Sequence, residues 1–292
     1  MFQRYVRTGL LLLVCCQLLS SCEKDGNPNN LPSVSPDEYT GKIDGYDNSD
    51  QVFTKNLAAY WSFDDTKAEA ISGATPTLTA NDAFATGGVR GKALSLTAGY
   101  LFYGRQFDKF KTDSLKSFSI SVWVKILNNG TRRTMLFQLA RPGQFTGNIN
   151  FHLNTNSFPA SRTDVLRVQP TFLTVGGGTQ DNLNNNLSPA IGMDKWTHIL
   201  LTYDGTTGVF DIWMDAVKVG GFPNRGVGNN LFRASEPSEV IIGANYNAMG
   251  RTVSSDVSVA PMTGQIDELR IWNIKLPDAF IRAVFNLGKA GK

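Results

Sequence analysis

Residues 117–125 alternate without a fault: Phe118, Ile120, Val122 and Val124 on one side, Ser119, Ser121, Trp123 and Lys125 on the other. A period of two fits a strand with one face buried, and it fits no helix. The signal returns downstream. Residues 196–203 and 208–215 are rich in β-formers, and Asp204-Gly205-Thr206-Thr207 lies between them. Asp-Gly between two such runs predicts a β-hairpin. Further strands are predicted at 57–63, 92–103, 133–140, 148–154, 165–175, 238–243 and 263–273. One stretch breaks the rule. Residues 277–285 set Phe280, Ile281, Val284 and Phe285 on one helical face, with Gly288 placed to cap the end. Many short strands, polar loops and one late helix predict an all-β fold: an antiparallel two-sheet β-sandwich, or jelly roll, with a short C-terminal helix.

The start of the chain is of another kind. Arg4 and Arg7 precede an apolar run over 9–19, too short for the about 20 residues that cross a bilayer. A positive start and a short apolar run read as a signal peptide, residues 1–21. It closes on Leu19-Ser20-Ser21-Cys22, which resembles the lipobox of bacterial lipoproteins. That resemblance implies cleavage before Cys22 and diacylation of its sulfur. Two acyl chains suffice for stable anchoring. Glu23-Lys24-Asp25 is similar to the surface-export signals of Bacteroidetes lipoproteins. The expected location is therefore the outer membrane, on the cell surface or the periplasmic face. Residues 22–51 are polar and Pro-rich and predict a flexible, disordered N-terminal tether, with room at Tyr39, Ile43 and Tyr46 for a short ordered piece. The jelly-roll domain is expected over 52–292.

The three cysteines are Cys15, Cys16 and Cys22. Two leave with the leader and the third is acylated, so disulfides, thiolate metal sites and a cysteine nucleophile are excluded from the mature chain. Losing Arg4 and Arg7 takes the formal charge from +3 to +1. A surface so near neutral argues against a nucleic-acid partner, which needs a basic face.

Several blocks carry a family resemblance. Leu57-Ala58-Ala59-Tyr60-Trp61-Ser62-Phe63-Asp64-Asp65, the run 88–94, the strand 117–125, the hairpin at 196–215 and Gly264-Gln265-Ile266-Asp267-Glu268-Leu269-Arg270-Ile271-Trp272-Asn273 follow one another in order. Together they resemble the laminin-G-like, concanavalin-A-like lectin/glucanase superfamily over 57–288, less closely at 128–190. The resemblance implies a jelly roll, and glycan binding, protein binding or glycoside hydrolysis as its use.

Hydrolysis has the least support. Glucanases of that superfamily carry closely spaced acids on one strand, and retaining cleavage needs two carboxyls about 5–5.5 Å apart. The mature chain has six glutamates, Glu23, Glu38, Glu69, Glu236, Glu239 and Glu268, and none forms that pattern. Asp267 and Glu268 point to opposite faces of a regular strand. The expectation is a protein that is not an enzyme, though carboxylates gathered from separate loops remain an alternative. The resemblance also implies calcium at the sandwich rim, with Asp64, Asp65 and Asp267 as oxygen ligands. The competing reading has these acids capping turns or pairing with Arg270 or Lys292.

Glycan contact is expected at Trp123 and Trp213, which lie opposite the core residues of their strands, and at Asn182, Asn245 and Tyr246 on long polar loops. Either tryptophan could instead cover the other layer. His152 and His198 read as packed strand residues. The preferred function is a membrane-anchored, non-catalytic carbohydrate-binding lipoprotein. The alternative is a module that binds another cell-surface protein.

Overall fold

The computed structural model describes residues 41–128, 132–155, 162–180, 190–222 and 228–292. Cys22 and Asn182 lie outside the described residues. The strands are β1 (Leu57–Trp61), β2 (Leu78–Thr86), β3 (Lys92–Tyr103), β4 (Phe118–Lys125), β5 (Arg133–Ala140), β6 (Ile149–Asn154), β7 (Arg167–Val168) and β8 (Thr171–Leu173). They continue with β9 (Thr179–Gln180), β10 (Thr197–Tyr203), β11 (Phe210–Met214), β12 (Val217–Phe222), β13 (Glu239–Ile242), β14 (Val259–Ala260) and β15 (Met262–Trp272). Among the described residues one α-helix follows, α1 (Asp278–Lys289).

Hydrogen bonds run in the order β12-β11-β10-β4-β15-β3-β13-β5-β6-β8-β9. The sheet curls into two layers, the jelly-roll sandwich expected from the sequence. β15 and β3 form the corner. β15 pairs with β3 from Met262 to Ile266, and β1 takes over that edge from Leu269 to Trp272. Strands that change layers bend at bulges. Here the register shifts between Asp267 and Arg270, and Glu268 sits at φ +51°. Pairing is antiparallel throughout, save a two-residue parallel contact of β14 with β5.

The core lies between the layers. Phe118, Ile120, Val122 and Val124 all point into it, as their alternation predicts. Leu139, Phe151, Val240 and Ile242 meet them from the other layer. Each such side chain contributes about 1.5–3 kcal/mol by leaving water. The predicted hairpin forms between β10 and β11. Its Asp204 accepts bonds from the Thr206 N–H (2.8 Å) and the Thr207 hydroxyl (2.9 Å).

The outer face of the first layer is sealed. α1 lays Ile281, Val284 and Leu287 over Leu200, Trp213 and Trp272. Gly288 does not cap this helix but lies inside it. A Cβ there would meet the Trp123 ring at 2.7 Å, so glycine is required by close approach of helix and strand. The N-terminal segment completes the seal, which moves a boundary. Lys42–Lys292 form one compact unit, so the fold begins about ten residues before the expected 52. Ile43 and Tyr46 bridge each other and pack on the helix side, where Tyr46 meets the edge of Phe280. The Ser49 hydroxyl donates to the Lys292 carbonyl at 2.9 Å. A composition rich in Asp, Asn and Gly hides this order, because it depends on partners at the far end of the chain.

Candidate functional site

The expected calcium ligands hold a turn. Asp267 is buried at the β15 bulge, and its carboxylate accepts N–H bonds from Val89 (2.7 Å), Arg90 (3.3 Å) and Glu268 (2.9 Å). Asp64 accepts the Lys92 N–H at 2.6 Å, and exposed Asp65 pairs with the Lys92 ammonium at 2.6 Å. The turn 88–92 is thus clamped from both sides. A Cβ at Gly88 would sit 2.8 Å from the Asp267 Oδ2. Burial and Glu268 push the Asp267 carboxyl up to about 8, against the three N–H groups that favour its anion. Calcium takes six to eight oxygens. Among the described residues no three His, Cys, Asp or Glu side chains gather to hold a metal. The oxygens of this trio face N–H donors, so the set does not fit a calcium shell; the turn-capping alternative fits it.

Asp267 and Glu268 do not point apart as a regular strand would have them. The bulge turns both toward Arg90. Glu268 accepts from the Tyr60 hydroxyl (2.8 Å) and from Arg270 (2.5 Å), and lies 3.5 Å from Arg90. Both acids are buried and occupied, which leaves no room for a substrate bond between them.

The two tryptophans are covered. Trp123 is 4% exposed; its ring stacks on Phe285 of α1 at 5.6 Å and lies 4.8 Å from His198. Trp213 is 5% exposed beneath the same cap. Neither offers a face to a sugar ring, because the apolar side of α1 needed a surface and took theirs. His198 shares a 2.8 Å hydrogen bond with Ser121 under this cap. Burial holds its imidazole down to about 3, with Arg270 adding to the effect.

Asn245 and Tyr246 shape a loop rather than line a surface. Asn245 is fully buried and accepts the Ala248 N–H at 2.9 Å. Tyr246 packs against Phe102 and donates its hydroxyl to Glu239. The loop 244–258 packs Ala244, Tyr246 and Met249 over Phe102, Ala140 and Ile241 on the second layer's outer face. Asn247, unforeseen in the sequence, threads it: its Oδ1 accepts the Val253 N–H (2.8 Å) and its Nδ2 donates to the Asp256 carbonyl (2.7 Å).

Beside this loop the outer face stays open as a cleft of about 250 Å³, on β5, β6 and β8. Arg133, Met135, Asn150, His152, Thr171 and Asp256 line it. Period two sends Ile149, Phe151 and Leu153 of β6 inward, so Asn150 and His152 face out. Asn150 accepts from the Gln138 amide (2.7 Å) and the Gly147 N–H (2.9 Å) and donates to the Thr171 hydroxyl (2.9 Å). That network fixes the floor. His152 is 4% exposed, and both of its ring nitrogens are closed off from solvent. Burial pushes its imidazole down to about 3, Arg133 pushes the same way, and the Asn150 backbone opposes them.

A larger hollow of about 610 Å³ opens beside the start of α1, among Asp113, Lys116, Lys275 and Asp278. No side chain there is both buried and unpaired.

The sequence model of a family described as "Concanavalin A-like lectin/glucanases superfamily" matches residues 105–282. No curated protein matches the sequence. Among solved structures, domain 4 of AbnA, a GH43 extracellular arabinanase from Geobacillus stearothermophilus in complex with arabinotriose, is similar at a TM-score of 0.54 and 20% identity, over 78% of this chain and 98% of that one. The binding domain of Paraclostridial Mosquitocidal Protein 1 is similar at 0.55 and 12% identity, over 80% of this chain and 52% of that one. The botulinum neurotoxin type G receptor binding domain gives 0.51 and 12%, over 80% and 51%. The chain thus spans about half the length of those two toxin fragments. At these identities the likeness is one of fold. The matched family covers more than half of the sequence, from before β4 to the first turn of α1, and the chain belongs to the concanavalin A-like lectin/glucanase superfamily.

Proposed function

We propose that the protein is a non-catalytic carbohydrate-binding lipoprotein, tied to the outer membrane through Cys22, with the cleft on β5, β6 and β8 as its glycan site. The observation that carries this reading is the outward cleft of about 250 Å³, where half-buried Phe145 lies beside Arg133, Asp256 and a polar floor that Asn150 fixes through Gln138 and Thr171. Sugars present hydroxyls on one edge and C–H groups on a face, and such a mixed lining suits both. A neighbour of the same fold, complexed with arabinotriose, supports the class of ligand. Glycoside cleavage uses two carboxyls flanking one bond. Among the described residues lining the cleft, Asp256 is the one acid. The receptor-binding toxin domains of similar fold supply the second reading, a protein partner.

Affinity electrophoresis of the full chain in non-ionic detergent, through gels containing plant, algal and host polysaccharides, tests the proposal. Retardation by at least one polymer without release of reducing ends is expected. Steady product release would make the protein an enzyme. Passage unretarded through every gel, with a clean partner recovered by pull-down, would favour the protein-binding alternative.

A further inference from the structure

Resting on the glycan reading, we infer that the cleft on β5, β6 and β8 takes an acidic sugar ring, with a C–H face on Phe145 and the anionic group on the Arg133 guanidinium.

Phe145 stands half-buried in the connection between β5 and β6, on the wall of the cleft. It belongs to none of the three apolar clusters of the fold and pairs with no other described ring. Phe84 and Trp196 are half-buried too, but each lies under an ammonium, from Lys67 at 5.7 Å and Lys125 at 4.9 Å. Phe145 has no such cover among the described residues. Its backbone is fixed all the same. The Phe145 carbonyl accepts from Gln138 Nε2 (3.0 Å), the Thr146 carbonyl accepts from Arg141 Nε (2.9 Å), and the Gly147 N–H donates to Asn150 (2.9 Å). A ring on so rigid a connection loses little freedom when a ligand stacks on it. The C–H face of a sugar takes its apolar surface out of water.

Arg133 supplies the charge. Its N–H donates to the Ser258 carbonyl at 2.9 Å, and it sits opposite Val259 of β14, so its backbone is held. Its guanidinium lines the cleft half-buried, and no described residue hydrogen-bonds or ion-pairs with it. Arg90 and Arg270, by contrast, are both bonded to carboxylates. The planar fork of a guanidinium matches two oxygens of a carboxylate or a sulfate with parallel N–H bonds. A lone hydroxyl uses only part of it.

Asp256 on the rim weighs the other way. Ser258 holds its carboxyl below the usual range against burial, and Arg133 helps, so it stays an anion. It is exposed, however, where solvent and salt screen it, and its Oδ1 already accepts the Ser258 N–H at 2.7 Å. Arg141 brings a second guanidinium behind Thr146, itself a lining residue. Two cations against one screened anion leave the cleft positive on balance. Pockets that enclose drug-sized ligands measure about 300–1,000 Å³. At about 250 Å³ this cleft seats one ring and lets the rest of a polymer run out to solvent.

The test uses the full chain in non-ionic detergent and affinity gels of three kinds. Polygalacturonate and alginate carry carboxylates, dextran sulfate carries sulfates, and arabinan, galactan, mannan and dextran are neutral. At least one acidic polymer should bind, and the kind that binds identifies the anion. Binding should weaken by about tenfold or more when salt rises from about 0.05 to 0.5 M. Arg133→Ala should weaken it by about tenfold or more, and Arg133→Lys, which keeps the charge and loses the fork, by about threefold. Phe145→Ala should cost about tenfold, while Phe145→Tyr, which keeps the ring, should stay within about twofold. Asp256→Asn should strengthen binding by about twofold, since it removes a screened repulsion. All three side chains are half-buried or exposed, and unchanged melting shows that each variant is folded. Retardation by neutral polymers alone, or weaker binding in Asp256→Asn, overturns the inference and leaves the glycan reading standing. Acidic binding that neither Arg133→Ala nor Phe145→Ala disturbs also overturns it, because the anion is then held elsewhere on the molecule. Failure of every polymer sinks the glycan reading, and this inference with it.

Discussion

Arg270 places Nη2 2.6 Å from the Asp50 Oδ1, although 220 residues separate them. Arg90 adds two bonds of 3.1 Å to the same carboxylate. Burial alone would raise the Asp50 carboxyl, but the two guanidinium groups outweigh it and hold the group below its usual range. The N-terminal segment is therefore fastened to the sheet by charge as well as by Ile43 and Tyr46. Because Asp50 is half-exposed, solvent screening limits the contribution. Asp50→Ala should cost about 1–2 kcal/mol, with Arg270 still held by Glu268. In a domain of this size that lowers the melting temperature by about 2–8 °C. Unchanged melting would show that the segment is held by its apolar residues alone.

Stability should fall in mild acid. His152 and His198 are fully buried, each with its imidazole held down to about 3 from an ordinary 6.5. Below pH 6.5 the unfolded chain takes up protons that the folded chain refuses. The contribution is fully present above 6.5 and is lost as pH falls from there toward 3, at about 1.4 kcal/mol per pH unit for each histidine. Asp267, raised to about 8 from an ordinary 3.8, works the other way between about 8 and 4 and offsets about one histidine, so urea unfolding at pH 5 should show a net loss relative to pH 7 that Asp267→Asn enlarges and either histidine-to-glutamine change removes. A profile that is flat in the unmodified protein contradicts the buried neutral state.

Helix α1 should be sensitive at one glycine. Gly288→Ala places a methyl group against Trp123, where a Cβ has 2.7 Å. The rise in helix propensity, about 1 kcal/mol, opposes an overpacking cost of about 1–3 kcal/mol. Net destabilisation is expected, together with a change in tryptophan fluorescence as the cap lifts. A more stable variant would mean that the helix slides freely on the sheet.

Calcium should leave melting unchanged, because the Asp64, Asp65 and Asp267 oxygens face N–H and ammonium donors. Scans in chelator and in millimolar calcium should coincide. A rise in calcium that Asp267→Asn removes would place an ion where the turn clamp now stands. A bound ion at about 100 times its Kd would add about 2.7 kcal/mol, which such scans resolve.

Attachment depends on Cys22 in the proposed scheme. Cys22→Ala should move the protein from the membrane to the soluble fraction and abolish labelling by palmitate. Persistent labelling would assign the lipid elsewhere.

The strands that alternate or carry a turn signal were legible before any coordinates. β4, the β10–β11 hairpin and β5 fall where the pattern sets them. β2 was not, because its residues are exposed or half-exposed on both faces and it pairs through β3 alone. β12 was hidden by Gly220 and Gly221, which carry no pattern. Of the site, period two alone sets Asn150, His152 and Asn154 on one face of β6, a polar row opposite the core. The sequence reading followed the tryptophans instead. What it lacked was a destination for the apolar face of α1, which required an apolar partner and found it over Trp123 and Trp213. Aromatic residues opposite a core face mark a ligand surface only when no other element of the chain has a claim on them.

Residue 42 joins the fold on the layer sealed by α1, and the His152 cleft opens on the other. A pull arriving through the N-terminal segment and a pull from a polymer in the cleft therefore act on opposite sides of the sandwich. Tension between them passes through Asp50, Arg270 and β15 to the corner with β3, and from there across β13 and β5. That path crosses the ladders between neighbouring interior strands. The free edges, β2 and β12, carry none of it. In the proposed scheme the attachment point and the glycan cleft thus lie on opposite layers, joined through the interior of the sheet.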